Sequence, residues 1–200
     1  MKKLIIFIWI ILLFGLYSNN IFSLDADDWN FITSFNSKGC LDIKYGMLLT
    51  YDKIQKLKET FSQKVIGSTV NWTYNKKLDD YQLRFSVQEG ISIRKINLFF
   101  KKVDKKMYCF YGGAYIFYIP KIDLSNAFYT FKTILRQFVP DLSILNYSLE
   151  SQSNMAVILT TYETPTVIYN FGLGWPPTIL DEYYLVIQAH CKTYLKNLDK

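Results

Sequence analysis

The sequence predicts an α+β domain, an antiparallel sheet packed by helices and arranged as two helix-then-strands units with a C-terminal helix. Three observations predict it. Apolar residues recur at spacings of three and four from Ile54 to Val65, then at a period of two from Val70 to Val87. The same switch repeats after a second helical stripe between Leu124 and Phe138. Half of the residues are hydrophobic, enough for one sizeable core, and no Pro-, Gly- or Ser-rich linker interrupts residues 24–200, which therefore read as one domain.

Residues 1–23 read as an export signal. Lys2 and Lys3 precede an unbroken apolar run from Leu4 to Phe14, and polar Ser18, Asn19 and Asn20 follow. Even counted to Tyr17 the run is about 14 residues, short of the roughly 20 that span a bilayer, so the segment is expected in the membrane only transiently. Cleavage after Ser23 leaves Leu24 first and places the body in a periplasmic or extracellular space. The competing reading is an uncleaved anchor, because the cleavage motif lacks its pair of small residues. A lipid-bearing cysteine is not expected, since the first cysteine is Cys40, preceded by Lys38 and Gly39.

After an apolar segment at Leu41–Leu49, Thr50 can cap a helix with the stripe Ile54, Leu57, Phe61 and Val65. Val70, Trp72 and Tyr74, then Tyr81, Leu83, Phe85 and Val87, alternate with polar residues as two half-buried strands, with turn chemistry at Asn75–Asp80 and at Glu89-Gly90. A third strand begins at Ile91. Its apolar phase slips between Ile93 and Ile96, which predicts a bulge near Arg94 and Lys95. The fourth strand, Met107–Ile119, is apolar or aromatic on both faces and belongs mid-sheet, with Gly112-Gly113 as a kink or bulge.

Pro120 ends that strand, Asp123 or Ser125 can cap the second helix, and Pro140 stops it. Strands are expected at Ser143–Leu149, Met155–Tyr162 and Thr166–Phe171. Gly172-Leu-Gly-Trp-Pro-Pro177 reads as a loop. Thr178 with Asp181 has capping-box spacing ahead of the stripe Leu180, Tyr184, Ile187, Cys191, Tyr194 and Leu198, so a last helix is expected. A strand over Tyr183–Ala189 competes with it, because Tyr-Tyr-Leu-Val-Ile also alternates.

Gly46-Met47 before the first helix, Ile66-Gly67-Ser68 after it and Trp72-Thr-Tyr74 on the next strand resemble secreted β-lactamase-inhibiting proteins and small envelope lipoproteins built on a similar unit. The resemblance covers the first half only. The helix is longer than that family's pattern, and the lipid-bearing cysteine is missing.

Charge excludes little but points away from nucleic acid. Without Lys2 and Lys3 there are 21 basic and 17 acidic residues, and the densest basic group, Lys101, Lys102, Lys105 and Lys106, reads as a solvated hairpin tip. Three cysteines, Cys40, Cys109 and Cys191, allow one disulfide or three buried thiols. His190 is the sole histidine, and no Gly-x-Ser-x-Gly elbow accompanies it, so no catalytic residue is expected. Cys40 and Cys109 stand apart from His190-Cys191, a poor spacing for zinc, so neither metal nor cofactor is expected.

Two features suit binding. Leu173, Trp175, Pro176 and Pro177 combine stiffness with a large apolar group at an expected loop tip. Sixteen tyrosines supply rings with polar ends. The expectation is an exported, non-catalytic binding or adaptor protein whose partner is a protein or an envelope component. The competing expectation is a carrier of an apolar ligand or lipid, in a pocket formed by Tyr111, Gly112, Gly113, Tyr115, Phe117, Phe128 and Phe131.

Overall fold

The computed structural model describes residues 26–64, 70–89, 92–119, 124–152, 155–175 and 183–195. Its mass is mixed helix and sheet, dominated by one large antiparallel sheet. The first helix, α1 (Ala26–Ser34), leads into a two-residue hairpin, β1 (Gly39–Cys40) with β2 (Ile43–Lys44), and then into β3 (Leu48–Thr50). Helix α2 (Tyr51–Lys64) precedes β4 (Asn71–Asn75), β5 (Asp80–Glu89), β6 (Ser92–Lys102) and β7 (Met107–Ile119). Helix α3 (Leu124–Phe138) and a 3-10 turn at Leu142–Ile144 precede β8 (Tyr147–Gln152), β9 (Met155–Glu163), β10 (Val167–Trp175) and β11 (Tyr183–Cys191). A single turn, α4 (Lys192–Leu195), follows.

Local chemistry explains the helices. The Thr50 hydroxyl accepts the Lys53 N–H at 3.4 Å and Asp52 lies in the first turn of α2, both favourable at a helix N-terminus. The expected stripe turns inward: Ile54 is fully buried, Leu57 and Phe61 pack on the core, and the Phe61 ring stacks on Phe85 at 4.6 Å. Val65 lies outside the described residues. In α3 the residues Ala127, Phe131, Ile134 and Leu135 are buried at helical spacing, and Pro140 follows the last turn. Helix α1 is an element that periodicity did not reveal; it buries Ile32 in the same core, and Phe35, directly after it, is buried there too.

The main path of the sheet runs β4-β5-β6-β7-β11-β10-β9-β8, with every pairing antiparallel. Strand β7 is central. One edge takes β6, and the other is divided between β3, opposite Met107–Cys109, and β11, opposite Gly112–Ile119. Residues from α1, α2 and α3 join a single hydrophobic cluster with one face of this sheet, through Leu83, Phe100, Tyr115, Phe171 and Leu185 among others. Among the described residues no helix longer than the α4 turn contributes to the small cluster on the opposite face.

Two expectations are corrected. The extra residue does not lie near Arg94 and Lys95, which pair in register with Val87 and Ser86 respectively. The shift falls between Phe99 and Phe100, opposite Gly112 and Phe110, and leaves Tyr111 as the bulged residue. Over the described part of the expected C-terminal helix, residues 183–195, β11 takes its place, and among those residues only Lys192–Leu195 are helical. Both periods are written into Tyr183–Cys191, and the strand prevails because it fills the slot between β7 and β10. A helix there would leave two ladders of backbone N–H and C=O groups unpaired.

Leu185 lies off the helical stripe but is 1% exposed in β11. Leu185→Ala is therefore expected to lower unfolding free energy by about 2–5 kcal/mol, whereas Gln188→Ala on the opposite face costs less than about 1. Urea midpoints of the two variants check this.

Candidate functional site

The face of the sheet away from α1, α2 and α3 has β11 as its spine, with Tyr184, Val186, Gln188 and His190 projecting from it, all half-buried. Two of these rings lie down on glycines of the flanking strands. Tyr184 is registered opposite Gly174 of β10, and a Cβ added at Gly174 would strike the tyrosine ring. His190 is registered opposite Gly112 of β7, where an added Cβ would come within 2.5 Å of the Ala189 carbonyl oxygen and 2.9 Å of His190 Nδ1. Missing side chains thus make flat seats for aromatic rings.

The bulge sets the surroundings of His190. Because Tyr111 has no registered partner on β6, Tyr111 and Gly112 both turn to this face, while Phe110 and Tyr115 remain in the core. The imidazole stacks on Phe99 at 5.4 Å and on Tyr111 at 5.9 Å. Burial among these rings lowers the His190 pKa to about 4, and Nδ1 has no hydrogen-bond partner among the described residues.

A polar chain runs outward from the same place. The Tyr111 hydroxyl donates to Asp80 Oδ2 at 2.6 Å, and Gln82 Nε2 donates to Asp80 Oδ1 at 3.0 Å. Arg84 then donates to Gln82 Oε1 through Nε at 2.8 Å and Nη2 at 2.5 Å. Burial, then the bond to Asp80, raises the Tyr111 pKa, so the phenol stays protonated and keeps donating. On the other side of β11, the bare position at Gly172 leaves a trough of about 360 Å³ bordered by Val157, Leu159, Thr161, Asn170, Tyr184 and Val186.

The residues expected to form a binding loop are placed differently. Gly172–Trp175 are the last four residues of β10, Leu173 is fully buried, and Trp175 is half-buried against the core; Pro176 and Pro177 lie outside the described residues. Leu173 is thus a core residue. The expected apolar pocket is divided by the sheet. Tyr115, Phe117 and Phe131 are packed core, half-buried Phe128 borders them, and Tyr111 and Gly112 face the other way. Gly113 faces the core, but Cys40 Sγ and Phe35 already stand 3.3 Å from where its Cβ would be.

All three cysteines are free and buried, and burial pushes the Cys40 and Cys109 thiols up. Sequence reasoning missed Asp80, Gln82, Tyr184 and Gln188. Their signal was the outward phase of the alternation in β5 and β11. No protein-family model matches the chain, and neither does any curated protein or solved structure.

Two outcomes follow from the seats. The nearest neighbours of an added Cβ at Gly174 are atoms of the Tyr184 side chain, so adding Tyr184→Ala to Gly174→Ala restores much of the lost stability, whereas Gly112→Ala meets the Ala189 backbone and stays destabilised by about 1–3 kcal/mol even with His190→Ala. Thermal melts of the four variants test the contrast. The second outcome concerns acid. The native imidazole has a pKa of about 4 against 6.5 for an ordinary one, so between these values the unfolded chain binds the extra proton. The His190 contribution is intact above pH 6.5 and drains away as pH falls to about 4, a loss of roughly 2–3 kcal/mol. His190→Phe keeps the stack and removes that part of the slope, as read from urea midpoints at neutral and acid pH.

Proposed function

We propose that this is an exported, non-catalytic binding protein. In this reading two helix-then-strands units, α2 with β4–β7 and α3 with β8–β11, meet at β7 and β11 and present the open sheet face to a macromolecular partner outside the cytoplasm. The observation that carries the reading is the way Tyr184 and His190 lie flat on Gly174 and Gly112, which keeps a sheet of eight successive strands level where projecting rings would break it up. At about 4.8 Å per strand such a face is roughly 35 Å across, more than the roughly 800 Å² per partner of a standard protein interface requires.

Its chemistry favours a protein surface. Aromatic rings alternate with the amides Gln82, Gln188 and Asn170, and among the described residues Arg84 is engaged by Gln82 and Lys101 by Asp79, which supports a protein surface over a phosphate backbone as the partner. The short apolar leader supports delivery outside the cytoplasm, where cleavage after Ser23 is expected.

Val186→Arg places a charge at the centre of this face, and Leu149→Arg places one on edge strand β8, where Leu149 is 71% exposed. Both variants are expected to fold. Partner capture from envelope extract, quantified through a photo-crosslinking side chain at position 188, should fall at least tenfold for Val186→Arg alone. Equal capture by the wild type and both variants removes the open face as the contact.

A further inference from the structure

We propose that a groove on the helix-covered side of the sheet, between α2 and the β1–β3 segment, binds a free single-chain anionic amphiphile: one acyl chain ending in a carboxylate. The groove holds about 340 Å³ and is walled by Leu41, Ile43, Met47 and Leu49 on one side and Leu57 on the other. That volume lies at the small end of the range for small-molecule sites, about 300–1,000 Å³, which suits one chain rather than a two-chain lipid.

The floor is apolar and recessed. Ile43 and Leu49 are 5% and 3% exposed, while Met47 at the rim is 43% exposed, so a chain seated here would cover a side chain now in water. The β1–β2 hairpin that forms one wall turns through Leu41 and Asp42, with φ of 50° and 65°. Such a turn favours Asn and Gly at both positions. Leucine is held there against its steric preference, and Leu41 packs on the core and lines the groove while Asp42 stays exposed.

The mouth supplies the charge. Lys53 and Lys56, three apart on α2, are both exposed lining residues, and neither makes an ion pair among the described residues. Asp42 is the one acidic residue among the lining residues, so the rim carries a net positive charge. The lysine stems extend the apolar wall and their ammonium groups remain at the water's edge, where a carboxylate head would sit.

The test uses the mature chain and sodium dodecanoate below its micelle concentration, with dodecyltrimethylammonium as the probe of opposite charge and phosphatidylglycerol vesicles as the bilayer probe. Dodecanoate is expected to bind saturably, at least tenfold tighter than the cationic probe. The exposed double variant Lys53→Glu/Lys56→Glu should fold normally by circular dichroism and reverse that preference. Equal affinity for the two probes, or an unchanged preference in the double variant, overturns the proposal. Lysine-dependent binding to vesicles without binding of monomeric dodecanoate overturns it as well, in favour of a membrane contact. Val186→Arg should bind dodecanoate as the wild type does, which keeps this result separate from that of the open face.

Discussion

The ladder between β7 and β11 is the constraint on which the rest of the sheet depends. Gly112–Ile119 pair with Tyr183–His190, and through this seam β4–β7 and β8–β11 become one sheet with one core. Broken there, the chain would expose two long apolar edges, each a template for pairing with another molecule. The seam is tight because two glycines of β7 stand at its end. Gly112 accommodates the Ala189 carbonyl and the His190 ring on one face, and Gly113 accommodates Cys40 and Phe35 on the other. Glycine weakens a strand in isolation, but here its missing side chain admits neighbours from both sides of the sheet.

The two faces use this seam in opposite ways. Toward the helices, Tyr115, Leu185 and Ile187 enter a closely packed core with Phe131 and Phe171, and burial of that apolar area is the main stabilising term. On the other face, among the described residues, apolar area is withdrawn from water mainly by the strands' own rings, with Tyr194 of the α4 turn packed on them. His190 stacks on Phe99 and on Tyr111, and Tyr184 lies over Gly174. Among the described residues this face therefore exposes fewer large apolar groups than its aromatic content suggests.

Elements that bury themselves by a local rule were legible in the sequence. Helices α2 and α3 show uninterrupted stripes, and β7 begins and ends where its aromatic run and Pro120 place it. What was not legible depends on a neighbour distant in sequence. Gly172-Leu-Gly174 read as a loop because nothing local says that Tyr184 will lie on Gly174 and make a strand glycine useful. Tyr183–Cys191 carries both periods, and only the vacant slot between β7 and β10 decides between them. One bulge was sought where β6 appeared to lose phase, yet the inserted residue, Tyr111, is on the partner strand, beside the Gly112-Gly113 pair where a kink or bulge was also expected.

That inserted residue also supplies register. Facing away from the core, Tyr111 reaches over β6 to Asp80 on β5, and Gln82 and Arg84 complete the chain of donors. Asp80 is fully buried, and a buried carboxyl without partners is costly, so alignments that deny it the tyrosine and the amide are penalised. Sliding β6 and β7 by one residue would send Tyr111 to the wrong face and leave Asp80 without its shortest hydrogen bond. Hydrophobic pattern alone would tolerate that error poorly but not forbid it, because β7 is apolar on both faces. The buried polar chain distinguishes the two registers where apolar burial cannot, and this is how a single bulge fixes the relation of β5, β6 and β7.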